Sequence, residues 1–188
     1  MGRTAGFRLV LILIGFVVAM PELAKAIDPN TPGDLAVSVF VAESPDFIRE
    51  WVTTPSSHGP TIRRIRKARF NQQVHAGFIV TGYTRQEDLR VDFAIDVKVT
   101  DPKGKVIFKE NNWARHSGKV PSARSFILAD PVLDLTIEPT DPAGQYQIEA
   151  TVHDRTGKKS ASGFWELDVG PYKVQQIAGA DAPVGSGL

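Results

Sequence analysis

Cysteine is absent from the 188 residues. That excludes a disulfide framework, a thiolate zinc site, an iron–sulfur cluster and a cysteine nucleophile. Lipoprotein-type acylation of a cysteine goes with them. Methionine occurs twice, at Met1 and Met20. Both fall in an N-terminal segment expected to be removed, which leaves no methionine for a copper site. Charge of one sign is also missing, with 22 Lys+Arg against 21 Asp+Glu. No global field therefore draws the chain to nucleic acid. The four histidines, His58, His75, His116 and His153, show no H-x-H or H-E-x-x-H spacing. A calcium loop, a G-x-S-x-G elbow, a phosphate loop and a dinucleotide fingerprint are all lacking. No catalytic residue, metal ligand or cofactor is nominated, and the expectation is a non-enzymatic protein.

What is present begins with an export pattern. Arg3 and Arg8 precede Leu9 to Met20, an uncharged run of twelve residues, and Ala24-Lys25-Ala26 follows as a small-residue cleavage site. Twelve helical residues span about 18 Å, short of a hydrocarbon core of roughly 30 Å. A cleaved signal peptide over 1–26 is expected, rather than a retained anchor, and with it a periplasmic or secreted bacterial protein. No other segment is long and apolar enough to cross a bilayer as a helix. Loss of Arg3, Arg8, Lys25 and Glu22 leaves 19 positive against 20 negative residues.

Residues 27–60 read as an N-terminal segment. It holds a short β-prone run, Leu35 to Val41, and a helical turn with Ser44 as N-cap, Pro45 at N1 and Asp46 near the positive helix end. From 61 the chain changes to strands with turns about every ten residues. Val91, Phe93, Ile95, Val97 and Val99 alternate with Asp92, Ala94, Asp96 and Lys98, giving one buried and one wet face. Asp101-Pro102-Lys103-Gly104 turns the chain toward Val106 and Phe108. A second hairpin joins Tyr146–His153 to Ser160–Val169 through Asp154-Arg155-Thr156-Gly157. Further strands are expected at 78–83, 125–128 and around Leu133, Leu135 and Ile137. Sequential hairpins without βα alternation predict an all-β antiparallel sandwich over 61–169. A tail, 170–188, is rich in small residues and Gly, with Tyr172, Val174 and Ile177 available to dock on a sheet edge.

Gly144-Gln145-Tyr146 resembles a tyrosine corner, in which the phenol bonds back to upstream backbone, so Gly144 and Tyr146 are assigned structural roles. With His75-Ala76-Gly77 opening a strand, the 101–104 hairpin and the closing strand Gly163-Phe164-Trp165-Glu166-Leu167, residues 62–169 resemble an immunoglobulin-like or fibronectin-type sandwich. They are also similar to macroglobulin-type domains and to small secreted bacterial proteins of this build. The resemblance implies the module's shape; the thioester cysteine of full macroglobulins is absent, and protease trapping does not carry over.

Two features are candidates for contact. Arg63, Arg64, Arg66, Lys67 and Arg69 put five cations into seven residues. Read as a strand, 63, 67 and 69 share one face and 64 and 66 the other. Such a cluster suits an anionic partner, or protects a sheet edge from aggregation; Glu87, Asp88, Asp92 and Asp96 are available to neutralise it. The second is 111–121, read as a polar loop carrying Trp113, Arg115 and His116. It serves either as a recognition loop or, with Trp113 folded back, as a cover for one end of the sandwich. Trp51 and Trp165 are assigned to the core. The functional expectation is a periplasmic binding module for an envelope protein or anionic polymer. Two alternatives stay open: a hydrolase or metal-dependent enzyme whose site forms only in the fold, and a structural subunit of an envelope complex using an open strand edge.

Overall fold

The computed structural model describes residues 34–55, 60–121 and 126–171. The signal segment, His58 and the tail beyond 171 lie outside the described residues.

Among the described residues nine strands and one helix follow in the order β1 (Ala36–Ala42), α1 (Asp46–Thr53), β2 (Lys67–Arg69), β3 (Gln73–Thr81), β4 (Arg90–Thr100), β5 (Val106–Lys119), β6 (Phe126–Leu128), β7 (Leu133–Thr136), β8 (Gly144–Asp154) and β9 (Lys159–Gly170). In the first sheet β1 pairs along its length with β3, whose other edge is shared by β6 and β7. The second sheet has the order β2-β9-β8-β4-β5. Every pairing is antiparallel except β2 with β9, which is parallel and three residues long. The fold is an immunoglobulin-like all-β sandwich.

Alternation builds the core. Val91, Phe93, Ile95, Val97 and Val99 of β4 and Tyr146, Ile148, Ala150 and Val152 of β8 are all buried, as their period of two requires. They meet Val39, Val41, Phe78 and Val80 of the first sheet in one cluster. The strand predicted at 35–41 is β1, which pairs with β3 at one end of the first sheet. Gly163 lets β1 lie close: a Cβ there would collide with the Val37 carbonyl oxygen.

Buried aspartates hold both hairpins. Asp101 Oδ1 accepts from the Lys103 and Lys105 N–H groups at 2.8 Å, and Gly104 turns at φ 81°. Asp154 Oδ1 accepts from Thr156 and Gly157, while its Oδ2 accepts from Thr84 N–H at 2.8 Å, tying the β8–β9 turn to the loop after β3. The predicted helical turn begins one residue later than expected. Pro45 occupies the N-cap position, its carbonyl accepts from Ile48 N–H, and Ser44 Oγ accepts from Asp46 N–H at 3.2 Å. Phe47 packs edge-on to Phe40, and Trp51, half-buried rather than core, packs on Phe126.

Candidate functional site

The basic segment crosses from one sheet to the other, and its backbone is fastened at both ends. Ile65 N–H donates to the Val41 carbonyl at 2.8 Å, and Arg64 forms a bridge with Ala42 of β1. Asp168 N–H donates to the Arg66 carbonyl at 2.8 Å, and 67–69 then run as β2 along β9. The Trp165 indole N–H donates to the Ile65 carbonyl at 2.9 Å. Ala68 is buried, whereas Arg63, Arg64, Arg66, Lys67 and Arg69 are exposed.

Only 67–69 form a strand, so the expected edge strand over the whole cluster is corrected to a short β2 with an irregular approach. The approach is irregular because it must leave the β1 edge and reach β9 in a few residues. Arg64 and Arg66 do share a side: both guanidinium carbons lie over the Trp165 ring, at 5.7 and 4.3 Å from its centroid. Each such contact is worth about 0.5–1 kcal/mol at an exposed site. A stacked guanidinium keeps its in-plane N–H donors for another partner. Trp165 is itself in the core, as predicted.

Three of the four acids offered as neutralisers pair elsewhere. Asp88 bonds Arg90, Asp92 bonds Arg155, and Asp96 bonds His153. Among the described residues no ion pair is formed by Arg63, Arg64, Arg66 or Arg69.

The second candidate is placed differently from its prediction. Residues 111–119 belong to β5, paired with β4, and do not form a loop. An edge strand has one wet edge and one wet face, so its sequence is as polar as a loop's. A register shift between Ile95 and Val97 hides the period further; there Asn112 turns at φ 55° and its N–H donates to Asp96 Oδ1 at 2.7 Å. Trp113 packs edge-on to Phe108 and against the core. His116 stacks on Phe93 at 5.6 Å. Burial lowers its pKa, with the Asp92 charge opposing. Arg115 alone of the three is exposed. Since β2 and β5 are the two ends of a five-strand order, the groups stand about 19 Å apart, four strand spacings. They form no common site.

The outer face of the second sheet carries one chain that sequence reasoning missed. Asp96 Oδ2 bonds His153 Nε2 at 3.0 Å, and His153 Nδ1 bonds Ser160 Oγ at 2.9 Å. Burial pushes the Asp96 carboxyl up, but the Asn112 N–H, the His153 bond and charge, and Lys109 together hold it below its ordinary value. The residues come from three strands, and Asp96 lies 57 residues before His153, so no motif spacing announces the chain. His75 bonds Asp134 across β3 and β7 at 2.6 Å. Among the described residues no three of His, Cys, Asp and Glu gather for a metal ion, and His75, His116 and His153 stand on separate strands. No described helix is long and apolar enough to cross a membrane.

No family model matches the chain, and no curated protein does. Similar solved structures include the CARDB domain of a Pyrococcus furiosus protein in complex with di-metal ions, at 13% identity and TM-score 0.39 over 74% of this chain and 94% of that one. A superoxide reductase (neelaredoxin) from Ignicoccus hospitalis matches at 15% identity and TM-score 0.37, over 66% and 91%. An immunoglobulin-like protein from Pseudomonas aeruginosa matches at 13% and 0.27, over 73% and 92%. Strand register, not these scores, identifies the chain's architecture as two packed sheets with immunoglobulin-like hairpin order.

Proposed function

We propose that the protein is a non-enzymatic binding module of the bacterial envelope that captures an anionic polymer or an acidic protein surface through residues 63–69. One observation carries this reading. Four guanidiniums, with no carboxylate partner among the described residues, project from a backbone bonded to both sheets. A rigid backbone means little ordering entropy is lost on contact, and guanidinium forks match phosphate and carboxylate.

Arg64 and Arg66 also stack on Trp165, so the test uses Arg63 and Arg69. The Arg63→Glu, Arg69→Glu double variant is expected to bind fluorescent polyphosphate or polyglutamate about ten-fold or more weakly than wild type. Its melting temperature should stay unchanged, because exposed substitutions away from packed features fall within about 0.5 kcal/mol. Unchanged affinity, or loss of melting temperature with it, contradicts the reading. Which probe binds tells polymer from protein.

A second reading rests on the Asp96–His153–Ser160 chain: an acyl hydrolase. With its proton on Nε2 facing Asp96, His153 has a bare Nδ1 to take the Ser160 proton as Oγ attacks an acyl carbon. That proton then goes to the departing alkoxide, and water later frees the acyl group. A fluorophosphonate probe is expected to label Ser160 in wild type and not in His153→Ala; an unlabelled wild type contradicts it.

A further inference from the structure

Two cross-strand rows lie side by side on the outer face of the second sheet. One reads Phe164, Glu149, Lys98, Lys109 across β9, β8, β4 and β5. The next reads Ser162, Thr151, Asp96 and closes on the bulge at Asn112. A half-open cavity of about 210 Å³ lies between them, lined by Val97 and by the polar residues Asp96, Lys98, Lys109, Asn111, Glu149 and Thr151.

Three properties of this surface bear on its ligand. Its charged groups are two carboxylates and two ammoniums, so it has no net charge. The groups are held in place: Lys98 Nζ lies 3.0 Å from Glu149, the Thr151 and Ser162 hydroxyls are 2.8 Å apart, and Asp96 is fixed by backbone. Phe164, the cross-strand neighbour of Glu149, is 59% exposed. Its ring contributes to no aromatic pair among the described residues. An exposed phenyl beside a charge-balanced polar cavity adds nothing to the core, and such surfaces mark contacts.

We infer that this face binds a neutral oligosaccharide. Hydroxyl groups both donate and accept, so they satisfy carboxylates and ammoniums placed side by side, which neither an anion nor a cation does. The C–H face of a sugar ring presents weak positive charge to the negative face of the Phe164 ring. From Phe164 to Lys109 the row covers three strand spacings, about 14 Å, room for more than one sugar ring. An apolar peptide would bury the ion pairs without replacing their water, a cost with no return. This site is separate from residues 63–69 and independent of the function proposed for them.

The test is a nuclear magnetic resonance titration of the full chain with cellotetraose, maltotetraose and chitotetraose. At least one is expected to give saturable shifts confined to the outer-face positions of β4, β5, β8 and β9, Thr151 and the Phe164 ring among them. Phe164→Ala should weaken that binding about ten-fold or more with unchanged melting temperature, and Phe164→Trp should retain it. Affinity should change less than about two-fold between about 50 mM and about 500 mM NaCl, because no net charge is screened. The Arg63→Glu, Arg69→Glu variant should bind the sugar as wild type does. No shift with any of the three sugars, equal binding by Phe164→Ala, or loss of binding in high salt would overturn the inference.

Discussion

Tyr146 shows how one side chain closes a crossover. Its ring is fully buried, and its hydroxyl donates to the Pro142 carbonyl at 2.7 Å. Tyr146→Phe leaves that carbonyl unpaired and is expected to cost about 1–2 kcal/mol by urea unfolding at neutral pH. Burial raises the phenol's pKa, and the Asp141 and Asp101 charges add to the rise. The folded state therefore favours the neutral phenol. This contribution is whole below the unfolded value of 10.0 and is lost as pH rises through the folded one. The variant should lose less stability than wild type on going into that alkaline range. Tyr146 was legible because Gly144 and the turn before it name the corner locally. Asp101, Asp154 and His116 were not: the first two look like ordinary turn acids until their burial is seen, and His116 is covered only because β5 brings it opposite Phe93.

At the scale of elements, alternation decides what can be read. β4 and β8 are central strands with one face in the core, and their period was plain. β5 is an edge strand with a bulge, so its pattern is mostly polar and its period breaks at Asn112. β2 is three residues long, too short for any period. Gly163 in β9 gives a direct check of the packing. Gly163→Ala puts a methyl against the Val37 carbonyl, a backbone atom that moves only with β1. The expected cost is about 1–3 kcal/mol. Gly118→Ala on β5, where nothing lies within 4 Å of the added carbon, should stay within about 0.5 kcal/mol. Equal costs at the two glycines, read by chemical denaturation, would mean that β1 does not lie against β9.

Over the whole molecule, hairpin succession was enough to expect a sandwich, because each hairpin needs another sheet to cover its apolar face. The strand order was out of reach, since pairing between distant segments leaves no local mark. That order separates the two predicted contact groups, placing Arg63–Arg69 at one edge of the second sheet and Trp113–His116 at the other. It also hands the Trp165 indole to the basic segment, through the bond to Ile65 and the stacking of Arg64 and Arg66. The indole N–H thus reports directly on the surface proposed to bind. The decisive measurement is a ¹H–¹⁵N titration of the full chain with polyphosphate and with polyglutamate. The account predicts that the Trp165 indole signal and the amides of 64–69 move saturably with one of them, while those of Trp113 and His116 stay. Movement centred on β5, or none with either polymer, would contradict it.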